Sequence, residues 1–250
     1  MRVENSFIPV EGVGETTERR LWERGITHWD EFDPDAVGET TGNRIQSFID
    51  RAYDRLDDGD ADFFAREFPS AEQWRLFETF SDGALFFDIE TTGLDADRNK
   101  VTTVSTHLNG ETETLVQGRD LHDDALRDLF TGADLLVTFN GKRFDVPFLE
   151  TNFDVSLSEK PHLDLMYPCR RLDLTGGLKT IEQEIGIGRD RPDITGKEAV
   201  ELWYQYERGD ESALETLVSY NREDVENLRP LAERVNEGLE QTLLPGTTTI

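Results

Sequence analysis

Asp88 and Glu90 end an apolar run, Leu85-Phe86-Phe87-Asp88-Ile89-Glu90. Residues two apart in a strand share a face, so both carboxylates point the same way. Two anions side by side at a buried strand end are poorly solvated and repel one another, and they call for a cation or a proton. A lone D-x-E is more often a solvated strand end, but two further segments supply matching acids. Asn140 to Leu149 reads Asn-Gly-Lys-Arg-Phe-Asp-Val-Pro-Phe-Leu directly after an apolar strand, Leu135 to Phe139. That places Asp145 in the first turn of a helix at the C-terminal edge of a sheet, where ligands collect. In the last long helical stretch Tyr220 and Asp224 stand four apart and share a face. They lie at the margin of a stripe made by Leu214, Leu217, Val225 and Leu228. Four acids converging from strand and helix make a hard-oxygen site suited to Mg²⁺ or Mn²⁺. Two such ions about 4 Å apart clamp the attacking and leaving oxygens of an in-line phosphoryl displacement. The Tyr220 hydroxyl can hold the attacking water in line. With one cysteine, Cys169, and no His/Cys cluster at zinc spacing, no other metal chemistry competes.

The elements that must position these residues follow from periodicity. The first eighty residues read as helical. Leu21, Trp22 and Ile26 are spaced for one helix, and Ile45, Phe48, Ile49, Ala52 and Leu56 for another. Ser70 and Gln73 form a capping-box pattern that predicts a helix carrying Trp74, Phe77 and Phe80. From Ala84 the pattern changes to strands: Ala84 to Ile89, Val101 to Leu108 and Glu113 to Gln117. Asn109-Gly110 predicts a type I′ hairpin between the last two. Helix, strand, helix and strand then alternate, over Asp123 to Phe130, Leu135 to Phe139, Phe144 to Thr151 and His162 to Leu165. Helices follow at Leu178 to Ile185, Lys197 to Tyr206 and Ser212 to about Asn236, and a frayed tail is expected from Pro245 to Ile250. The predicted class is α/β, a mixed five- or six-stranded sheet flanked by helices.

The chain has 250 residues and a formal net charge of −27, from 53 acidic and 26 basic residues. Taken alone, that charge argues against a nucleic-acid partner. Yet 21 of the basic residues are Arg and five are Lys, with acids spread along the whole chain. This is the pattern of a protein working in molar salt, where the Debye length is about 3 Å and a polyanion can approach another. Charge therefore does not exclude a nuclease. Met1 to Glu15 lacks the apolar core of a signal peptide, and no run of apolar residues is long enough to cross a bilayer. The sequence is expected to be soluble and cytoplasmic, without a membrane partner.

Asp88-Ile89-Glu90-Thr91-Thr92-Gly93-Leu94, Asn140 with Phe144-Asp145, and Tyr220 with Asp224 resemble the three motifs of DEDD-type 3′–5′ exonucleases. The tyrosine matches the subgroup that includes the proofreading domains of B-family DNA polymerases. The resemblance extends to YprB-like ribonuclease H-like proteins through His162-Leu163-Asp164-Leu165, Gly177-Leu178-Lys179-Thr180-Ile181-Glu182 and Asp193-Ile194-Thr195-Gly196, and it covers about Phe80 to Ala232. It implies a ribonuclease H-like fold and two Mg²⁺ or Mn²⁺ ions. Asp88 would bridge both ions, Glu90 and Asp224 would complete one site, and Asp145 would serve the other. Tyr220 would orient the water. Thr91, Thr92, Leu94, Asn140 and Phe144 would bind substrate, with Leu94 wedged against the terminal base.

The expected organisation is a helical module over residues 1–79, a ribonuclease H-like exonuclease domain over 80–240, and a tail over 241–250. Gly12-Val13-Gly14 ahead of Leu21 resembles one helix-hairpin-helix unit, although Glu11, Glu15 and Glu18 surround it with repulsion. The expected function is metal-dependent hydrolysis of nucleic-acid phosphodiester bonds, DNA or RNA, from a single-stranded 3′ end. Two alternatives share the fold: an endonuclease on RNA or RNA–DNA hybrid, and a nucleic-acid-binding protein with little turnover.

Overall fold

The computed structural model describes residues 1–243; the tail expected from Pro245 to Ile250 lies outside the described residues. The N-terminal part contains helices α1 (Glu15–Glu23), α2 (Glu39–Asp57), α3 (Ala61–Glu67) and α4 (Phe77–Phe80). Then come strands β1 (Ala84–Thr91), β2 (Val101–Leu108) and β3 (Glu111–Val116), helix α5 (Asp123–Phe130), β4 (Leu135–Thr138), α6 (Asp145–Asn152) and β5 (His162–Asp164). Helices α7 (Met166–Arg171), α8 (Leu178–Ile185), α9 (Gly196–Glu207) and α10 (Glu211–Leu243) complete the described residues.

The strands form one sheet in the order β3-β2-β1-β4-β5. The β1-β2 and β2-β3 pairs are antiparallel, and the β1-β4 and β4-β5 pairs are parallel. The β2-β3 turn carries φ of 52° at Asn109 and 84° at Gly110, the two left-handed positions a type I′ turn requires. Strand alternation sorts β1 between two apolar clusters. Leu85, Phe87 and Ile89 face one, with Val104, Leu126 and Leu136. Ala84 and Phe86 face the other, with Val137, Leu163, Val225 and Leu228. Asp88 and Glu90 continue the Ala84–Phe86 face, over which α10 packs. The β1-β2 register shifts between Glu90, opposite Thr103, and Thr91, opposite Val101, a bulge-like irregularity that bends the pair at that edge.

The N-terminal helices are not separated from the sheet by a polar seam. Phe7, Trp29, Phe48, Phe64 and Phe77 belong to the same apolar cluster as Phe86, Leu228 and Leu239. Two local expectations are corrected. Helix α1 stops at Glu23, and Ile26 lies beyond it: Gly25 takes φ 83°, and the N–H groups of Gly25 and Ile26 return to the carbonyls of Trp22 and Leu21. This is a Schellman ending, with Ile26 as its apolar follower. The Ser70–Gln73 box does not form either. Pro69 caps a 3₁₀ turn over Ser70–Leu76 without a side-chain bond, and the Gln73 amide instead donates to the Ala65 carbonyl and accepts from Lys142.

A candidate metal-binding acid cluster

The cluster sits where β1 and β4 end and α10 crosses them. Asp88 and Glu90 are half-buried, and Asp224 is buried. One carboxylate oxygen from each of Asp88, Glu90 and Asp224 lies within 4.8 Å of the others. Asp145, also buried, stands outside that trio, and its Oδ1 accepts the Ile89 N–H at 3.2 Å. The Asp145 carboxylate is thus fixed to the backbone between Asp88 and Glu90.

Each acid is placed by its own element. Beyond β4 the chain turns sharply: Asn140 adopts φ 65°, and a Cβ on Gly141 would meet Thr138 Oγ1 at 2.5 Å, so that position requires glycine. Asp164, at the end of β5, gathers the turn by accepting the N–H groups of Asn140 (2.7 Å), Lys142 (3.2 Å) and Met166 (3.1 Å). Phe144 then caps α6 and packs on Phe148, which delivers Asp145 to the sheet edge. His162 bonds Thr138 Oγ1 at 2.8 Å, and burial holds its imidazole neutral, pushed down to about 3. His162 and Asp164 therefore support the loop.

On α10, Asn221 donates to Asp88 Oδ2 at 2.7 Å and accepts from Thr103 Oγ1 at 2.9 Å. Sequence reading gave Asn221 no role. It was detectable, because it stands midway between Leu217 and Val225 at i+4 spacing, a polar residue inside an apolar stripe. Tyr220 is buried beside Asp224, and burial together with the charges of Asp224, Glu90 and Asp88 keeps its hydroxyl protonated. Arg189 was also missed. From the loop before α9 its guanidinium pairs with Asp224, Glu182 and Glu223.

The remaining sequence candidates are more peripheral. Thr91 Oγ1 donates to the Gly93 carbonyl and Thr92 Oγ1 accepts the Lys100 N–H, so the two hydroxyls brace the loop that carries Leu94. Leu94 is 88% exposed beyond the end of β1.

Electrostatically, the cluster holds more acids than cations, with Arg189 paired to Asp224 and Lys179 nearby. Burial, then the charges of Asp145, Asp224 and Glu90, raise the Asp88 carboxyl well above its ordinary value. Burial does the same to Glu90, with Asp224 and Asp145 adding to it. Burial lifts Asp145 to about 7. Asp224 is raised by burial despite the pull of Arg189. Carboxylates that crowd together and resist ionisation, with no His or Cys among them, fit hard divalent cations.

A family sequence model spans residues 85–236, a stretch that holds all four acids and Tyr220. The chain belongs to the RNase_H superfamily. The mixed sheet with helices on both sides is thus the ribonuclease H-like α/β fold, with additional helices ahead of it. Three solved structures resemble this superfamily member. The family B DNA polymerase from the hyperthermophilic archaeon Pyrobaculum calidifontis is 22% identical, with a TM-score of 0.44 over 65% of this chain and 24% of that one. A nuclease in its apo form is 21% identical, with a TM-score of 0.48 over 71% and 81%. Brucella melitensis NrnC with bound Mg²⁺ is 17% identical, with a TM-score of 0.36 over 70% and 92%. The chain thus spans about a quarter of the polymerase. No curated protein matches it significantly. Among the described residues, no helix is long and apolar enough to cross a membrane.

Proposed function

We propose that the protein is a metal-dependent nuclease, a 3′–5′ exonuclease of the tyrosine-bearing DEDD group, close to the YprB-like proteins. The observation that carries this reading is the convergence of Asp88, Glu90 and Asp224 within 4.8 Å, with Asp145 bonded to the backbone between the first two. Asp88, Glu90 and Asp224 would hold one divalent ion, and Asp88 with Asp145 a second, Mg²⁺ or Mn²⁺. When bound, such ions supply Lewis-acid activation and charge neutralisation to phosphodiester hydrolysis. The protein's own groups do the rest. Asn221 orients Asp88 through its 2.7 Å bond, so that one carboxylate oxygen is committed and the other left for the ion. Tyr220, held protonated, donates to and aims the attacking water. Leu94, 88% exposed beyond the end of β1, is free to stack against an unpaired terminal base, and Asn140 and Phe144 would flank the nucleic-acid strand. Residues 1–79 would act as a helical module that buttresses an exonuclease domain over 80–240.

The acidic, lysine-poor surface supports a salt-adapted, cytoplasmic protein, so the assay belongs in high KCl. The test is digestion of 5′-labelled single-stranded DNA, RNA and RNA–DNA hybrid with Mn²⁺. Progressive shortening from the 3′ end, abolished by EDTA, is the expected result. Internal fragments from the hybrid would identify an endonuclease, and hydrolysis that survives thorough chelation would refute the metal-dependent reading.

A further inference from the structure

Two cations face the ring of Tyr220. The Lys179 Nζ lies 4.5 Å from the ring centroid and the Arg189 guanidinium carbon 5.8 Å from it. Their situations differ sharply. Arg189 is engaged by three carboxylates, Glu182, Glu223 and Asp224. The Lys179 Nζ is buried from solvent and makes no hydrogen bond. Leaving a buried charged donor without an acceptor is costly. Local structure does not favour it either, because Lys179 stands in the first turn of α8, where the helix dipole opposes a cation. The aromatic face of Tyr220 partly compensates as a cation–π partner. It satisfies none of the ammonium's three N–H donors.

We propose that Lys179 is a substrate-binding residue of the acid cluster, its ammonium donating to a non-bridging phosphate oxygen of the nucleic-acid strand while Tyr220 fixes its position. This rests on the nuclease reading and adds to it a contact that the carboxylates cannot make, since they repel phosphate. Division of labour follows: Arg189 neutralises acids, and Lys179 keeps its donors for the incoming anion.

The experiment measures binding apart from turnover. In an Asp88→Ala background, a fluorescent single-stranded oligonucleotide is titrated against protein with Lys179 intact, with Lys179→Met and with Lys179→Arg. Lys179→Met retains the stem over the Tyr220 ring and should weaken oligonucleotide binding about tenfold or more. Lys179→Arg should recover part of that loss. In otherwise wild-type protein, Lys179→Met should raise KM more than it lowers kcat, with the melting temperature unchanged or raised. If Lys179→Met binds the oligonucleotide as tightly as the parent, the proposal is overturned. A lowered melting temperature with unchanged affinity overturns it too, and assigns Lys179 to packing. Wild-type protein that cleaves no nucleic acid with Mn²⁺ or Mg²⁺ refutes the underlying nuclease reading; cleaving wild type with an indifferent Lys179→Met refutes this inference alone.

Discussion

Two clusters of buried charge among the described residues are built in opposite ways. Near the N-terminus the fully buried Arg75 donates to Glu72 at 2.7 Å, to Ser6 at 3.0 Å and to Glu18 at 3.1 Å, and lies over the rings of Trp22 and Trp74. Glu18 also accepts from Ser6 Oγ and the Phe7 N–H, and Glu72 from Arg171. There each carboxylate has a cation. At the sheet edge, Asp88, Glu90, Asp145 and Asp224 crowd together, and Arg189 pairs with Asp224 alone among them. A balanced buried network holds helices to one another. An unbalanced one demands a counter-ion from outside, and that demand is what distinguishes a binding site from a structural ion pair.

The largest effect should come from unbalancing the first region. Arg75→Met leaves Glu18 buried without its cation and Glu72 with Arg171 alone, and should destabilise the protein by roughly 3 to 5 kcal/mol in chemical denaturation. Hydrolysis per folded molecule should stay close to wild type. Loss of turnover without loss of stability would mean that the network reaches the acid cluster. The converse variant, Asp88→Ala, relieves repulsion, so its melting temperature should hold or rise while turnover drops at least a thousandfold, about 4 kcal/mol of barrier. Near-normal turnover would move the active site elsewhere. Tyr220→Phe should be milder, keeping the ring and losing the hydroxyl, with turnover reduced about 10- to 100-fold and fold intact. Early melting with normal turnover of the folded fraction would make Tyr220 a packing residue.

The smallest effect is a pH dependence that arises in the second region. Because the folded carboxyls of the cluster sit above their unfolded values, the fold favours their protonated forms. The corresponding stability is present at low pH and is lost as pH rises through the folded values. For Asp145, held at about 7, the metal-free protein should lose about 1 kcal/mol between pH 6 and 8. Thermal melts in EDTA and in Mn²⁺ check this: the decline should appear in the first series and flatten in the second. Melts in EDTA that rise with pH over that range would show that the acids are already balanced.

The second region was more legible in the sequence than the first. Alternation in β1, the Asn109-Gly110 turn and helical spacing on α10 are local signals, and they placed the candidates Asp88, Glu90, Tyr220 and Asp224 on the correct elements. Pairings between distant segments leave no such periodic trace. Asn221 reaches Asp88 across 133 positions and Arg75 reaches Glu18 across 57. Arg189 sits in a loop where nothing periodic marks it. Local pattern also misled where tertiary contacts prevailed, as when Gln73 turned from its capping role to Ala65 and Lys142.

The most direct measurement is calorimetric titration of Mn²⁺ into metal-free wild-type protein and the Asp88→Ala variant, in high KCl at pH 7, in buffers of differing ionisation enthalpy. Wild type should bind saturably and release protons, because carboxyls raised by crowding must ionise to receive the ion. Asp88→Ala should bind far more weakly, with an unchanged melting temperature showing that it is folded. Absence of binding to wild type, or equal binding to both proteins, would contradict a metal site built on these acids.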